Sequence, residues 1–492
     1  MKTCRCFLSM VSNPSRMTKP LLRGLLGALL ALAAGACGAD EPPPEPPEDE
    51  AGDGPTEEPN SIMPGVDDMA DALVNLTARR WEGPVTPWPA EHDRPDAPAS
   101  LRSELLPLAV HGPAGRLPEL LRDLEEVAAF VSAGGFARPF PDGSLGGGPE
   151  FDVYLEPTET LVEVRPDRPL GWSFLDGVTA HALLDPGVPR GDRLACLAQA
   201  YGEALALEAD PAEAPAWHRA LGSFLAWELT GRFGCADAID RQQSDAGLPW
   251  VGSGDLQAAD GGAGGGLLLA MLSQRHDGGD GAFVRELYQF ARQRTWEDGD
   301  LRASPDLWQA LDRAVELSGD RLGSMIEDFS VVRGFLGQAD RHSPMQALRG
   351  LGPGASPAVV FELGLDDLPH HTPNGPELQT HGTVFARVDV RGASAQSRLR
   401  VWLRGEYGVE WGLTASRLDA SGQELARLSA PPRRHDRRSY LPVELTADTA
   451  TVLVGVTNLS HRLPDDDLPD SNGRAFRLIF DLVQEGHVDA EE

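Results

Sequence analysis

Five side chains that could bind a metal ion flank or occupy one predicted helix, residues 190–209. They are His181, Glu203, Glu208, Glu213 and His218. Imidazole nitrogens and carboxylate oxygens are common zinc ligands, so a mixed histidine and carboxylate site is conceivable. We favour the simpler interpretation, in which Glu203 and Glu208 are solvated helix charges and His218 is a surface or capping residue. The sequence thus predicts no metal site, and His181, Glu203, Glu208 and His218 are the candidates if one exists.

Other motifs lack a residue that their chemistry needs. The glycine-rich stretch 260–266 has neither the lysine nor the hydroxyl residue of a phosphate-binding loop, so we expect a plain loop. The stretch 277–280 lacks the later glutamate of a calcium loop, so a turn is expected. No Gly-x-Ser-x-Gly segment occurs, which argues against the nucleophile elbow of a serine hydrolase.

The elements that would position these side chains are mixed, which predicts an α+β fold. Apolar residues recur at helical or strand spacing, with turn residues between the segments. Asp192 is the expected N-cap of the helix at 190–209, and Gly231 is the expected C-cap of the next helix. Strands are expected at 151–155, 160–164 and 172–184, and helices at 117–130, 190–209, 217–230, 266–275, 282–292, 305–317 and 322–334.

Three stretches in this region carry a resemblance to a known family. Residues 134–155 look like a loop and an edge strand before a catalytic helix, 194–207 like that helix, and 216–228 like the helix after it. Together they resemble the metalloprotease-type lipoproteins of myxobacteria, whose scaffold is similar to that of gluzincin peptidases. The resemblance covers roughly residues 115–340 and implies a mainly helical, zincin-like domain with a small sheet.

The motif that such a peptidase needs is degenerate. His-Glu-x-x-His places two imidazoles on one helix face, with the glutamate as general base for the zinc-bound water. Laid on this helix, the motif positions hold Ala195, Cys196 and Gln199 in place of the first histidine, the glutamate and the second histidine. The third ligand would fall in 219–222, which contains no acid. The resemblance therefore implies a peptidase-like domain without classical zinc hydrolysis.

The N-terminus has the pattern of an export signal. Five basic residues and no acid lie before Cys37. An apolar run follows the basic residues, and the small residues Ala34-Gly35-Ala36 stand directly before Cys37. Small residues directly before a cysteine resemble a lipobox, although Ala34 stands where leucine is usual. We expect residues 1–36 to be a lipoprotein signal peptide and Cys37 to be lipidated. An ordinary secretory peptide is the alternative, and Met17 is a second candidate start.

The sequence after Cys37 also fits a lipoprotein. Residues 37–60 are rich in proline and acidic residues, which predicts a disordered tether. The whole chain has a net charge of −32, which excludes nucleic acid as a partner because both would be negative. We expect anchoring to the bacterial cell envelope through lipid on Cys37. The outer membrane is favoured, facing the periplasm or the cell surface.

Two domains follow the tether. We expect the peptidase-like domain at 61–345, a Gly- and Pro-rich linker at 346–357 and an antiparallel β-sandwich at 358–486. The sandwich prediction rests on short strands separated by turn clusters, at 384–390, 398–403, 409–415, 441–445, 451–456 and 476–482.

The remaining thiols leave one structural question open. Besides Cys37, the exported chain keeps Cys196 and Cys235. In an oxidising compartment the pair could form a disulfide, and two buried free thiols are an equal alternative, because spacing alone does not place them within bonding range.

Two functions follow from these expectations. The favoured one is a lipid-anchored pseudoenzyme that acts as a binding or scaffold module, with no cofactor, for a peptide, protein or glycan of the envelope. Its working surface is expected near 151–155 and 190–209. The alternative is an active metal-dependent peptidase with a relocated site and zinc as its cofactor, which rests on resemblance alone.

Overall fold

The chain divides into two units, Met1–Pro64 and Gly65–Glu492, and every residue described below lies in the second. The computed structural model describes residues 85–86, 94–143, 145–169, 177–236, 239, 243, 261–292, 301–302, 306–334, 359–373, 377–407, 409–431, 438–459 and 473–484. The predicted signal peptide, Cys37, the tether 37–60 and the linker 346–357 lie outside these residues.

Residues 94–334, with the pair β1 and β7, form what we call the helical region. Its described strands are β1 (Val85–Thr86), β2 (Ser100–Arg102), β3 (Leu108–His111), β4 (Phe151–Leu155), β5 (Val162–Pro169), β6 (Val178–Leu184) and β7 (Leu301–Arg302). Its described helices are α1 (Leu117–Ala133), α2 (Arg193–Ala209), α3 (Pro215–Thr230), α4 (Gly261–His276), α5 (Ala282–Phe290), α6 (Leu307–Leu317) and α7 (Leu322–Gly334).

Five of these strands form one mixed sheet, in the order β2-β3-β4-β6-β5. The three central strands, β3, β4 and β6, run parallel, whereas β2 and β5 are antiparallel to their neighbours at the two edges. Helices α1 and α2 contact the sheet, and strands β3 and β6 are buried along their whole length. This burial explains why these strands are nearly continuous in apolar residues, as parallel strands usually are.

Helices α2, α3 and α4 approach one another closely because glycines face their neighbours. A Cβ atom at Gly202 of α2 would lie 2.7 Å from the Cα of Gly222 in α3. A Cβ at Gly266 of α4 would lie 2.7 Å from the Cβ of Ser223 in α3. Side chains larger than hydrogen would separate the helices, so these glycines set the spacing of the helical core.

Residues 359–484 form what we call the two-sheet region. Its strands are β8 (Val359–Leu363), β9 (His370–His371), β10 (Thr383–Asp389), β11 (Ser397–Gly405), β12 (Trp411–Leu418), β13 (Glu424–Ser429), β14 (Arg438–Glu444), β15 (Thr451–Asn458) and β16 (Phe476–Gln484). They form a five-stranded sheet, β13-β12-β15-β10-β8, and a four-stranded sheet, β14-β11-β16-β9. Buried residues of both sheets belong to one apolar cluster.

The two regions pack against each other through α7. The Thr383 hydroxyl donates to the Ser330 hydroxyl at 2.9 Å, and a Cβ at Gly334 would lie 2.9 Å from the ring of Phe385. Val331 of α7 joins Phe385, Leu418 and Leu453 in a small apolar cluster. Helix α7 therefore rests on the five-stranded sheet.

The structure confirms the α+β fold class and most of the predicted elements. The strand at 151–155 and the helix at 322–334 have the predicted bounds, and Gly231 caps α3 with a left-handed φ of 78°. The predicted loop at 260–266 is wrong, because residues 261–266 belong to helix α4. Asp192 is at the N-cap of α2, but its side chain makes no capping bond and pairs with Arg232 instead. In the two-sheet region, β8 runs parallel to β10.

Candidate functional site

The first two motif positions of α2 lie in the protein core. Ala195 is 1% exposed and Cys196 is completely buried. The Cys196 sulfur is bonded to that of Cys235, which lies just beyond α3, so a disulfide joins residues 39 apart in sequence. The position that the resemblance assigns to the general base of a zinc peptidase is therefore covalently tied to a neighbouring loop.

The third motif position, Gln199, uses its carboxamide inside the protein. Its nitrogen donates to Glu203 at 2.7 Å, and its oxygen accepts from the Cys235 amide at 2.7 Å. Burial raises the pKa of Glu203, with the charge of Arg219 acting against it. Gln199 thus links α2 to the disulfide loop. Its two polar groups make internal hydrogen bonds, so this face of α2 is built for packing.

The four metal candidates lie in four separate environments. His181 on β6 bonds to Asp167 at 2.7 Å, and Glu203 contacts Gln199 as described. The Glu208 carboxylate accepts from Arg292 at 2.9 Å and from the Phe140 amide at 3.0 Å. His218 Nε2 lies 2.7 Å from the Asp210 carbonyl. Within the described residues, no group of three or more His, Cys, Asp or Glu side chains has a geometry that could hold a metal ion.

Burial shifts the protonation of two of these candidates. Removal from water raises the pKa of Glu208 to about 7, although Arg292 and the Phe140 amide favour its charged form. Removal from water also lowers the pKa of His218 to about 4. At neutral pH His218 is therefore uncharged, and Glu208 is near the midpoint of its titration. Glu203 and Glu208 are not the solvated helix charges that the sequence predicted, since they are 8% and 2% exposed. His218, expected as a surface or capping residue, is 7% exposed and bonds to the carbonyl of Asp210, the C-cap residue of α2.

A buried polar cluster around Arg94 was missed by the sequence analysis. The Arg94 guanidinium forms ion pairs with Asp142, Asp152 and Asp167. Two histidines bind the outer oxygens of this cluster: His111 Nε2 lies 2.6 Å from Asp152, and His181 Nδ1 lies 2.7 Å from Asp167. We call these six residues, from β3, β4, β5, β6 and two loops, the Arg94 cluster.

Charge balance governs protonation inside the Arg94 cluster. Burial raises the pKa of Asp142 to about 7 against the opposing charge of Arg94. Burial alone would also raise the pKa of Asp167, but hydrogen bonds from His181 and Arg94 outweigh it and hold this pKa below its usual value. Among the described residues, the buried His181 Nε2 atom has no hydrogen-bond partner. Burial thus favours the protonated form of Asp142 and the two hydrogen bonds favour the ionised form of Asp167, while the cluster ties β3, β4, β5 and β6 to Arg94 and Asp142 in the loops.

A signal for this cluster existed in the strands themselves. Asp152 interrupts the apolar strand β4, and His181 interrupts the apolar strand β6. A polar residue in a strand buried on both faces requires a partner. The sequence does not show which partner, because Arg94 and Asp152 are 58 residues apart.

An open cleft lies at the C-terminal end of α2, away from the motif positions at its N-terminal end. It has a volume of about 270 Å³ and is lined by the loop after α1, by Leu205 and Ala209 of α2, by Leu221 of α3 and by one side of α5. The predicted working surface included 151–155, and no residue of that strand lines this cleft. Of the predicted surface, only the C-terminal half of α2 takes part.

Two arginines give the cleft its polar character. Arg285 donates to the carbonyls of Gly134 and Asp280, and its guanidinium lies 5.5 Å from the centre of the Phe136 ring. Arg292 pairs with Glu208. Apolar walls with a few oriented polar groups are typical of small-ligand and peptide sites, so the cleft could bind an amphipathic ligand.

Comparisons with known proteins gave matches among solved structures alone. No family model matches the chain, and no curated protein matches it. Among solved structures, Yersinia pseudotuberculosis-derived mitogen is 15% identical, with a TM-score of 0.16 over 25% of this chain and 93% of the mitogen. The active domain of bacteriophage CBA120 tailspike protein 4 is 10% identical, with a TM-score of 0.16 over 22% of this chain and 15% of the tailspike domain. The insecticidal delta-endotoxin Cry8Ea1 of Bacillus thuringiensis is 12% identical, with a TM-score of 0.13 over 23% of this chain and 19% of the toxin.

Likenesses this slight define neither the fold nor the function, and the chain spans about a seventh of the tailspike domain. In the part of the chain that the structure describes, no helix combines the length and apolar character needed to cross a membrane.

Proposed function

We propose that this protein is a lipid-anchored envelope protein whose peptidase-like domain is catalytically inactive and acts as a binding or scaffold module. One observation carries the proposal: the three motif positions of α2 are used for packing. Ala195 has no ligand atom, Cys196 is in a disulfide and Gln199 bonds to Glu203 and Cys235. Neither a zinc-bound water nor its general base has a place on this helix.

The order of elements supports a zincin-like scaffold for the helical region. Strand β6 leads into α2 and then α3, which is the order of strand, helix and second helix that the resemblance to gluzincin-type peptidases implies. The resemblance also makes 151–155 an edge strand, and this expectation is wrong, because β4 lies between β3 and β6 inside the sheet. The shared apolar cluster between the four-stranded and five-stranded sheets supports a β-sandwich as the accessory domain.

The proposed partners follow from the anchor and the charge. Lipid on Cys37 would hold the protein at a membrane, and a net charge of −32 makes nucleic acid an unsuitable partner. The cleft between α2, α3 and α5 offers a site for a peptide or for part of an envelope protein, and the two-sheet region offers a surface for a glycan.

The test of inactivity is a metal and cleavage assay on the purified full chain. By plasma mass spectrometry we expect less than a tenth of an equivalent of zinc per chain. We also expect no chelator-sensitive cleavage of casein or of a peptide library. An active peptidase with a relocated site requires stoichiometric zinc or chelator-sensitive cleavage. Either result would overturn the proposal, and Glu208→Gln and His181→Ala would then locate the site.

The test of anchoring is separate. Metabolic labelling with a fatty-acid analogue should mark the wild-type protein, and fractionation should place it in the membrane pellet. Cys37→Ser should abolish both the label and the sedimentation, whereas Cys6→Ser should change neither. Labelling that persists in the Cys37→Ser variant would exclude this anchor.

A further inference from the structure

The outer face of the four-stranded sheet carries an unusual row of like charges. Along β11, the buried residues Leu399, Val401 and Leu403 alternate with residues that face outward. The outward residue Arg404 lies opposite Arg438 of β14 on one side and Arg477 of β16 on the other. All three are exposed. We call these three residues the arginine row.

The neighbouring positions on the same face show what an ordinary register would look like. Arg398 lies opposite Glu444 and pairs with it, and Arg400 lies opposite Asp481 and pairs with it. Opposite charges across strands stabilise a sheet, whereas like charges directly opposite one another destabilise it. Within the described residues, neither Arg404 nor Arg438 forms an ion pair. The juxtaposition of Arg404 and Arg438 is therefore expected to cost stability, and it occurs in a chain whose net charge is −32.

An aromatic pair adjoins the arginine row. Trp402 lies opposite Tyr440 in the register, with ring centres 5.3 Å apart and planes inclined by 33°. Tyr440 is 38% exposed, and the guanidinium of Arg400 lies 5.0 Å from the centre of the Trp402 ring. Tyrosine and tryptophan offer a flat apolar face together with a polar group. The face therefore combines an aromatic pair with the arginine row, which begins at the next outward-facing pair along the strands.

We propose that this face binds an acidic polysaccharide. Pyranose rings present apolar C–H faces that stack on aromatic rings, and carboxylate or sulfate groups along the chain would lie over Arg404, Arg438 and Arg477. Guanidinium groups bind such oxyanions through two parallel hydrogen bonds. A regular acidic chain fits the row better than a compact anion does, because strand spacing sets the arginines side by side. Ligand binding offsets the repulsion that the row otherwise carries.

Affinity electrophoresis of the purified full chain through gels containing polygalacturonate tests this proposal. We expect strong retardation by polygalacturonate and none by neutral dextran. The double variant Arg404→Ala/Arg438→Ala should weaken binding at least tenfold, and Trp402→Ala several-fold, with Trp402→Phe retaining most of the affinity. The retardation should decline with added salt, because exposed charges are screened.

The matched control removes Arg387 of β10, which is partly exposed, and Arg391, which is exposed and follows that strand. They pair with Glu362 and Asp389, and Arg387→Ala/Arg391→Ala makes the same change in net charge. It should alter binding less than twofold. Equal weakening by the two double variants, or no retardation of the wild type at low salt, would overturn the proposal.

Two further probes separate a polysaccharide from other anions. Polyglutamate of the same charge and vesicles containing anionic phospholipid should compete at least tenfold less well than polygalacturonate. Equal competition by either one would assign the face to an acidic peptide or a lipid surface and overturn the polysaccharide assignment. These outcomes are independent of the zinc and casein assay, so failure here leaves the proposed lack of catalysis unaffected.

Discussion

The surroundings of α2 and the outer face of the four-stranded sheet use polar groups in opposite ways. Around α2, Gln199 and Glu203 bond to each other, and Cys196 is in a disulfide. On the sheet face, Arg404 and Arg438 lie side by side without an ion pair among the described residues. Polar groups with internal partners stabilise a fold. Like charges held side by side at a surface can be neutralised by a partner of opposite charge, and for this reason we propose the sheet face, and not α2, as a binding surface.

The Arg94 cluster makes the same contrast with arginine alone. In the core, one guanidinium is surrounded by three carboxylates, whereas the arginine row has three guanidinium groups together. The core arrangement can tolerate little change, because a buried charge that loses its partner is costly. The arrangement at the surface should tolerate substitution easily.

The largest expected effect comes from breaking the Arg94 cluster. Arg94→Ala leaves three buried carboxyl groups without their cation, so we expect the free energy of unfolding to fall by about 3–5 kcal/mol. Chemical denaturation with urea measures this. Arg102→Ala is the control, because its ion pair with Glu150 is partly exposed, with the arginine side chain 45% accessible, and should cost less than about 1 kcal/mol. Similar losses in both variants would show that the cluster has no special role.

A second prediction concerns the glycine contact between α2 and α3. Gly202→Ala places a methyl group 2.7 Å from the Gly222 Cα, and we expect a loss of about 3 kcal/mol because the helices must separate. Gly323→Ala in α7 meets nothing within 4 Å and should stabilise the helix by about 0.5–1 kcal/mol. Thermal unfolding of the two variants compares them. A loss of stability for Gly202→Ala together with a gain for Gly323→Ala would support the close packing of α2 on α3. An unchanged stability of Gly202→Ala would contradict it.

The helices and strands were predicted well because the spacing of apolar residues can be read within each segment, without knowledge of its tertiary contacts. Helix α2 and strand β4 illustrate this. The start of α4 could not be predicted in this way, because Gly261 to Gly266 have poor helix propensity. At the end of this stretch, Gly266 packs against Ser223 of α3 at a distance that only glycine permits. Tertiary packing outweighs propensity at this position.

The candidate sites were harder to predict because they depend on contacts between distant segments. His181 and Glu208 were recognised as unusual residues, but their partners Asp167 and Arg292 are 14 and 84 residues away. The arginine row depends on the register of three strands, which sequence alone does not set. Composition indicated the acidic surface, yet it could not show where arginines gather within it.

A third prediction uses the buried carboxyl group of Glu208, which lies beneath the cleft. Its pKa is about 7 in the folded protein and about 4.5 when unfolded, so the folded state binds the proton more tightly. The stability from this group is present at low pH and is lost as pH rises towards 8. From pH 5.5 to 8 we expect a loss of about 2 kcal/mol, since one pKa unit corresponds to about 1.4 kcal/mol.

Glu208→Gln isolates this contribution. The variant should show a smaller decrease in thermal stability between pH 5.5 and 8 than the wild type does. His218, whose pKa is lowered to about 4, acts in the opposite direction below pH 6.5 but is present in both proteins, so it cancels in the difference. Parallel pH profiles would show that Glu208 keeps its charge in the folded protein.

The smallest expected effect is the most informative about the arginine row. Arg404→Ala removes the central charge of the arginine row. We therefore expect the free energy of unfolding to stay unchanged or to increase by up to about 0.5 kcal/mol. Arg400→Ala, four residues away on the same strand, removes a charge paired with Asp481 and should lower stability by a similar amount. Urea denaturation at low and high salt compares them, and the gain for Arg404→Ala should shrink as salt screens the repulsion. If Arg404 lowers the stability of the fold but increases the affinity for an acidic polysaccharide, its role is in binding and not in stabilising the sheet. A loss of stability in Arg404→Ala would instead make it an ordinary structural residue.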